Sequence, residues 1–491
     1  MTPTIILFTF LTYTALLFFV TWLTSRKASS RSFYIGNKTS PWFIVAYGMI
    51  GASLSGVTFM SVPGEVGVKQ FSFIMVILGY LVGYFIIATV LLPLYYKMNL
   101  TSIYSYLETR FGFWSYKTGS FFFIISRTIG ASLRMFLMVN ILQIFVFDQW
   151  GVPFGVTVLI FIILILLYTF KGGVKTIIWT DTIQTTFMLL ALVFSIFFIF
   201  RTLGSINKGI TLNDFNGYSK VLFFDWTGKQ FFLKQFLSGI FITIVMTGLD
   251  QEMMQKNLSC RSLKDAQKNM FTFSFILVIV NLLFLLLGAI LYIYANKIGM
   301  KLPIRSDDLF PVVAIQQLGP LAGLVFLIGL ISAAYPSADG ALTALTTAFS
   351  IDFLGLGKKN NMTELKKTHT RYIVHVFFAI VLMCMIIIFK AISDRAVIDK
   401  LFTIAGYTYG PLLGLYAFGL FTKFGVRDRW VPLITLISPL LCYFISSFSE
   451  LLLHGYKFSY ELLVLNGMIT FAGLFLLRIN HNKNQISDIN L

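Results

Sequence analysis

The stretch that decides the fold is Tyr47-Gly-Met-Ile-Gly-Ala-Ser-Leu-Ser-Gly-Val-Thr-Phe-Met-Ser-Val-Pro-Gly-Glu-Val-Gly67. It is as apolar as a membrane helix, yet it contains helix-breaking glycines, several hydroxyl side chains and Pro63. In hydrocarbon every backbone group needs a partner, so helix breakers persist where the freed carbonyls meet protein, a cavity or a ligand. The stretch therefore predicts a membrane helix that opens in its middle to form a binding site.

Composition places the whole chain in a membrane. Over 491 residues, 57% are hydrophobic, 12% are charged and the mean hydropathy is +0.82, whereas soluble domains are about 25% charged. The net charge of +18 could suggest that the protein binds nucleic acid. The basic residues, however, lie in short loops between apolar runs, where they determine the orientation of the membrane spans. We expect one membrane domain over residues 1–491, embedded in the lipid bilayer and without a nucleic-acid partner.

Apolar runs of about 20 residues, the length that spans a bilayer, predict an all-α, polytopic protein of thirteen transmembrane helices. The first run lacks a preceding basic residue and is followed by Arg26 and Lys27, the reverse of a signal peptide. The Lys and Arg distribution then predicts an outside N-terminus and a cytoplasmic C-terminus, in the cytoplasmic membrane. The predicted helices are 3–24, 41–66, 71–96, 118–147, 152–170, 174–202, 234–258, 270–296, 319–350, 371–391, 397–421, 428–449 and 459–478.

Charged residues inside these runs are the strongest functional signal, because a charge in hydrocarbon costs about 2.5–3.5 kcal/mol or more. Asp181 could serve a cation or proton, or it could be an interfacial cap or the partner of a lysine. Arg127 could brace neighbouring helices through carbonyls, while Arg134 could bind an anion with its planar guanidinium. Asp250 and Glu252 could instead pair with the basic segment that follows, 256–268.

The segment 329–352 is rich in small and hydroxyl residues. Tight helix packing explains part of this pattern, but packing does not require Pro336 and Asp339 among the hydroxyls. Oxygen atoms are the ligands that a hard cation such as Na⁺ needs when it sheds water. A short helix with an acidic start is also predicted after Asp307, either as a lid or as an ordered loop that covers helix ends.

Motifs for soluble enzyme chemistry do not occur in the sequence. It has no phosphate-binding glycine loop and no metal-spaced cluster of Cys and His. His375 lies inside a predicted span and could serve an intramembrane enzyme, but it has no evident reactive partner in sequence. We expect that the protein is not an enzyme.

Taken in order, the motifs resemble the sodium:solute symporter family over nearly the whole chain. The matching pieces are Ser32-Phe-Tyr-Ile-Gly36, Gly51-Ala-Ser-Leu-Ser-Gly56, Lys171-Gly-Gly173, Trp179-Thr-Asp181, Asp250-Gln251 with Gln255, Pro311, Ser337-Ala-Asp339 with Asp352, and Tyr409-Gly-Pro-Leu-Leu-Gly414. The resemblance implies a LeuT-type fold of two five-helix inverted repeats. On the predicted boundaries the two repeats cover 41–202 and 234–421. A leading helix, 3–24, precedes them, and two trailing helices follow within 428–478.

The resemblance also implies a Na⁺ site and an alternating-access mechanism. The main site would use the backbone carbonyls of Gly51, Leu54 and Ala333 and the hydroxyl of Ser337. The family has a second hydroxyl residue in this site, but at that position this chain has Pro336, which has no hydroxyl. Some members bind a second Na⁺ at an aspartate matching Asp181, with residues matching 336, 339 and 340. Here Asp339 supplies a carboxylate in that set, so proton coupling is the alternative to the expected Na⁺.

For the solute, the resemblance is nearest to the family's sialic-acid carriers. It implies a binding site formed by hydroxyls, an aromatic contact and a carboxylate-binding guanidinium: Ser53, Ser55, Thr58, Phe73 and Arg134. The expected glutamine on the next helix is Ile77. Sialic acid or another small carboxylate is favoured, with a neutral sugar or amino acid as the alternative. We expect the protein to function as a monomer. Two other classes compete with a transporter: a solute sensor and an intramembrane enzyme. Against the sensor, we expect no signalling domain after Leu477.

Overall fold

The computed structural model describes residues 2–25, 38–206, 208–357, 362–392 and 397–479; the predicted motif at 32–36 lies outside them. Its main helices are α1 (Pro3–Ser25), α2 (Trp42–Lys69), α3 (Phe73–Lys97), α4 (Ser105–Arg110), α5 (Phe113–Leu142), α6 (Phe154–Ser205), α7 (Phe232–Gly248), α8 (Gln251–Leu258), α9 (Leu263–Ile298), α10 (Pro320–Ala348), α11 (Glu364–Ile392), α12 (Val397–Phe421), α13 (Val431–Ser447) and α14 (Leu462–Leu476).

Short elements complete the described chain. Helices α5 and α10 continue as π-helical turns at Gln143–Phe147 and Phe349–Phe353. The strands β1 (Gly425–Val426) and β2 (Arg478–Ile479) pair antiparallel. The remaining short helices are Asp148–Trp150, Leu212–Phe215, Ser306–Asp308, Leu309–Val312, Val313–Gln317, Asp428–Trp430 and Ser449–Leu452.

The helices have the lengths that a multi-pass membrane protein requires. Nine helices of the described residues are long and apolar enough to cross a membrane, or ten if the bent pair α7 and α8 forms one span. The other predicted segments fall on the shorter apolar helices Phe154–Phe170 and α14, and on α12. Helices suit this environment because each satisfies its own backbone groups.

Helix α2 lies at the centre of the bundle, in close contact with three other helices. A Cβ atom at Gly51 would lie 2.4 Å from Oγ1 of Thr185 on α6. A Cβ atom at Gly56 would lie 3.9 Å from Ala334 on α10. On α9, a Cβ atom at Gly288 would lie 2.6 Å from the carbonyl of Pro63. The small residues of the opening stretch thus serve close packing as well as the break.

Three helices begin five to seven residues earlier than predicted from the sequence: α5, α9 and α11, of which the last begins at Glu364 rather than at 371. Helix α5 begins at Phe113 rather than at 118, because the carboxylate of Asp428 accepts hydrogen bonds from the backbone N–H groups of Trp114 and Ser115 at 2.8 and 2.7 Å. Because Asp428 is 313 residues away in sequence from Ser115, the local sequence does not predict this cap. Helix α9 begins at Leu263, where Ser262 is the N-cap and accepts from the N–H of Asp265 at 3.2 Å.

The fifth and sixth predicted helices form one continuous element, α6, with a kink at Gly173 (φ 59°, ψ −168°). Glycine suits this position because its φ is positive. As a result Asp181 lies well inside the helical element and is 0% exposed. Asp181 is therefore not a helix cap, whereas the alternative that it pairs with a lysine is confirmed by its ion pair with Lys256.

The acidic segment after α9 is a short helical run, as predicted. The buried carboxylate of Asp307 accepts a hydrogen bond from the N–H of Val397 at 3.0 Å. A Cβ atom at Gly64 would lie 2.3 Å from the carbonyl of Ser306, so the segment packs directly on α2. It thus covers the end of α2 and the start of α12, and its role as a lid stays a prediction.

Candidate functional site

Helix α2 is interrupted at Ser55, whose φ is 44° and ψ is 171°. A residue with a side chain rarely adopts a positive φ, so the surrounding contacts must hold it there. Gly51 and Leu54, the predicted cation ligands on this helix, lie in the turn before the interruption, where backbone carbonyls lose their helical partners. The N–H of Gly51 donates to Oγ1 of Thr185 at 3.0 Å, which fixes this turn against α6.

A second break separates α7 from α8, which meet at an angle of 66°. Asp250 is the N-cap of α8, and its Oδ1 accepts from the N–H groups of Glu252 and Met253 at 2.9 and 3.2 Å. Its Oδ2 accepts from the hydroxyl of Tyr409 at 3.0 Å. The acidic residue therefore stabilises the start of a half-helix, as side-chain capping does at helix N-termini generally.

A cavity lies between these broken helices, and its wall contains the five residues predicted to bind a solute. Its volume is about 80 Å³, several times the roughly 10–15 Å³ that one water requires. The predicted residues in the wall are Ser53, Ser55, Thr58, Phe73 and Arg134. Their assembly in one cavity agrees with the predicted site, while their role in binding stays a prediction.

Further polar residues that the sequence analysis did not single out also line this cavity. Tyr80 and Tyr84 stand four residues apart on α3, and Thr243 and Thr247 stand four apart on α7. Residues at this spacing share one helix face. Asn281 on α9 adds an amide. The signal that could have found them is the spacing of polar groups on otherwise apolar helices.

The two arginines of α5 have different surroundings. Arg127 forms ion pairs with Glu252 and, at 3.6 Å, with Asp250. It therefore does join neighbouring helices, but through carboxylates rather than through the predicted carbonyls. Both arginines line the cavity, and Arg134 lies two turns further along and is 8% exposed. It makes no hydrogen bond or ion pair with any residue that the structure describes, so its guanidinium is available to an anion in the cavity.

The predicted cation ligands on α10 lie beside the break in α2. A Cβ atom at Gly56 would contact Ala334, the residue after Ala333. Ser337 lies one turn further along, is 0% exposed, and its hydroxyl has no hydrogen-bond partner among the described residues. A buried hydroxyl without a partner costs free energy. These contacts fit a cation site between α2 and α10, in which that hydroxyl would find its partner.

We expect Ser337→Ala to raise the half-saturating Na⁺ concentration about tenfold, since losing one ligand of this kind costs about 1.4 kcal/mol. The matched control is Ser350→Ala, which removes another buried, unpartnered hydroxyl roughly 20 Å further along the same helical run. Uptake measured over a series of Na⁺ concentrations distinguishes the two variants. Equal Na⁺ dependence in both would remove Ser337 from the cation site.

Asp181 and Asp339, the remaining predicted cation ligands, have protein partners. Lys256 on α8 places its ammonium 2.8 Å from Oδ2 of Asp181. The carboxylate of Asp339 accepts from the hydroxyl of Tyr168 at 2.8 Å and from the N–H of Gly340 at 2.6 Å. The sequence analysis placed Lys256 at the start of the basic segment 256–268, and its predicted pairing with Glu252 is confirmed at 3.0 Å, with a side chain that is only 3% exposed.

His375 is enclosed by hydroxyl groups. Its Nε2 lies 2.8 Å from Oγ1 of Thr169 and its Nδ1 lies 2.8 Å from Oγ1 of Thr346. Both ring nitrogens thus have hydrogen-bond partners on neighbouring helices. This arrangement is that of a buried histidine whose hydrogen-bonding groups are satisfied by packing against its neighbours.

Two broken helices face one cavity, and its wall holds a guanidinium that has no partner among the described residues. This arrangement is typical of a secondary membrane transporter. The profile of the sodium:solute symporter family matches residues 33–424. The chain belongs to this family. It is therefore a transporter that couples solute movement to Na⁺, and not an enzyme.

Individual relatives agree with this assignment. The sodium/sialic acid symporter SiaT of Proteus mirabilis (strain HI4320) is 24% identical over 424 residues, with 83% of each chain covered. NanT, a sodium/sialic acid symporter of Aliivibrio fischeri (strain ATCC 700601 / ES114), is 24% identical, covering 81% of this chain and 79% of the relative. The human sodium-coupled monocarboxylate transporter 2 is 24% identical, covering 81% of this chain and 65% of the relative.

Solved structures show the fold. A Na⁺-coupled sialic acid symporter in a substrate-bound outward-open state superposes with a TM-score of 0.78 at 20% identity, covering 96% of this chain and 97% of that one. Mhp1, a nucleobase-cation-symport-1 family transporter, gives a TM-score of 0.56 at 12% identity, covering 92% and 94%. The predicted LeuT-type class is thereby confirmed, while the repeat boundaries at 41–202 and 234–421 stay a prediction.

Proposed function

We propose that the chain is a Na⁺-coupled symporter of a small organic anion, with sialic acid or another carboxylate as the solute. The observation that carries this proposal is the unpaired guanidinium of Arg134 in the cavity wall. A buried cation without a counter-ion is costly, and a planar guanidinium matches a carboxylate with two parallel hydrogen bonds. The relatives that transport sialic acid and monocarboxylates share this substrate chemistry.

In the proposed site the solute and the cation share helix α2. The hydroxyls of Ser53, Ser55 and Thr58 would hold the polar groups of the solute, and Phe73 would cover an apolar face. The carbonyls before the break at Ser55 would hold Na⁺ together with α10. Because one break supplies both sites, a bound cation would order the backbone that the solute needs, which makes binding of each favour the other.

Alternating access requires that the cavity close towards each side in turn. At the end of α2, the ammonium of Lys69 lies 2.5 Å from Asp399, at the start of α12, and 2.9 Å from Glu65. It also donates to the hydroxyl of Tyr460 at 3.3 Å. We assign this ionic contact to the outer closure, in a monomer of the cytoplasmic membrane whose N-terminus is outside and whose C-terminus is cytoplasmic.

The direct test of the solute class is counterflow in proteoliposomes. We expect exchange of labelled sialic acid or of a monocarboxylate, and no exchange of the matched neutral sugar. Exchange restricted to neutral sugars or amino acids would overturn the proposed anion specificity. Absence of exchange across acidic sugars, monocarboxylates, neutral sugars and amino acids would count against transport itself.

Replacing external Na⁺ by choline at fixed pH is expected to abolish accumulation of the solute, because choline cannot enter a site built from carbonyl and hydroxyl oxygens. The measurement is uptake of labelled solute against its gradient, with K⁺ replacement as the control for osmotic strength. Accumulation that persists in choline and follows an imposed pH gradient would favour proton coupling instead.

A further inference from the structure

Lys256 occupies an unusual position for a lysine in a membrane protein. It lies on the half-helix α8 with a side chain that is 3% exposed. Its ammonium is 2.8 Å from Oδ2 of Asp181 on α6 and 3.0 Å from Oε1 of Glu252, one turn earlier on α8. A lysine normally extends its ammonium to water, so two carboxylates must hold this one inside the bundle.

Glu252 brings this ion cluster against α10. A Cβ atom at Gly340 would lie 2.2 Å from Oε1 of Glu252, so the glycine leaves room for the carboxylate. The ammonium bonded to that carboxylate therefore lies between α6 and the polar segment of α10. This is the region where the second cation ligands, Asp181 and Asp339, were predicted from the sequence.

The charges of the cluster show what the ammonium contributes. Among the described residues, the ion pairs of the cluster join the buried acids Asp181, Asp250 and Glu252 to two cations, Arg127 and Lys256. The buried carboxylate of Asp339 instead accepts hydrogen bonds from Tyr168 and the N–H of Gly340. Removing the ammonium would leave Asp181 without an ion-pair partner. An unpaired buried carboxylate is strongly destabilising, so another cation would have to replace the ammonium. The carboxylate oxygens of Asp181 have no hydrogen-bond partner among the described residues, so the ammonium is the group that offsets their charge. A mobile cation at Asp181 would be repelled by that ammonium.

We propose that the ammonium of Lys256 is a tethered cation that holds the second cation position permanently, so that one Na⁺ is exchanged in each transport cycle. The inference rests on the proposed function, because the exchanged ion is the Na⁺ at the break of α2. It has an electrical consequence. One Na⁺ moving with a monoanion carries no net charge, so transport of a monocarboxylate is insensitive to membrane potential.

The first experiment measures how many Na⁺ ions the purified full-length protein binds, by equilibrium binding of radioactive ²²Na⁺. We expect one Na⁺ per wild-type protein and one for Lys256→Arg, which keeps the charge. In Lys256→Ala the ammonium and its stem are gone, and we expect two. Two ions bound by the wild type would overturn the inference and leave Na⁺ coupling intact. No bound Na⁺ would overturn the proposed function together with it.

The second experiment measures uptake of a labelled monocarboxylate with and without an inside-negative potential set by K⁺ and valinomycin. Wild-type uptake is expected to be the same in both conditions, while uptake by Lys256→Ala is expected to rise with the potential. Potential-driven uptake by the wild type would overturn the inference. If Lys256→Ala does not fold or transport, the wild-type measurements of binding and potential dependence still decide it.

Discussion

Arg134→Ala is expected to weaken binding of an anionic solute by about 100-fold or more, because two charge-assisted hydrogen bonds of about 1.5–3 kcal/mol each are lost. The protein should stay folded, since Arg134 has no hydrogen-bond or ion-pair partner among the described residues that its removal would orphan. The measurements are solute binding to the purified protein and its unfolding temperature in detergent.

Arg134→Lys is the matched variant, because it keeps the charge and removes the planar fork that binds both carboxylate oxygens. We expect its affinity to lie between those of the wild type and Arg134→Ala. An unchanged affinity in Arg134→Ala would remove this residue from the binding site, and with it the observation that carries the proposed solute class. Equal loss for neutral and anionic solutes would point to a structural role.

Arg127→Ala is expected to have the opposite profile, a loss of stability of about 3–5 kcal/mol, because a buried ion pair that loses one partner leaves uncompensated charge. The side chains of Arg127 and Glu252 are 6% and 3% exposed, so water cannot replace the lost partner readily. The unfolding temperature in detergent and the yield of monodisperse protein check this expectation.

The double variant R127M/E252Q tests the electrostatic explanation. It removes charge from both partners, so we expect it to be more stable than R127M alone, although Lys256 then loses one of its two carboxylates. A single variant as stable as the wild type would show that the ion pair with Glu252 contributes little. These expected results would assign Arg127 to the stability of the fold and Arg134 to solute binding.

Much of this architecture follows from the sequence because hydropathy and helix breakers are local properties. The break at Ser55 is predicted by the glycines and hydroxyls around it, and the structure places it within the expected segment. The cavity wall was predictable to the same extent, since its hydroxyls lie next to that break. Its tyrosines were missed because an aromatic residue on an apolar helix usually serves packing.

The ion cluster was not predictable in the same way, because its partners come from distant parts of the chain. Glu252 pairs with Arg127 across 125 residues. Lys256 lies near the end of the predicted helix 234–258 and begins a run of basic residues, which is typical of an interfacial position. The bend of 66° between α7 and α8 and the carboxylate of Asp181 together give it a buried position. The sequence predicted the local pair of Glu252 with Lys256, but the long-range pairs with Arg127 and Asp181 are evident only from the fold.

The backbone at Ser55 puts stability and transport in conflict at a single position. A serine at φ 44° and ψ 171° carries strain of about 1–3 kcal/mol that a glycine would relieve. Glycine would also delete a hydroxyl from the cavity wall. Selection of variants for heat resistance would therefore favour glycine at this position, whereas selection for growth on the transported solute would restore serine.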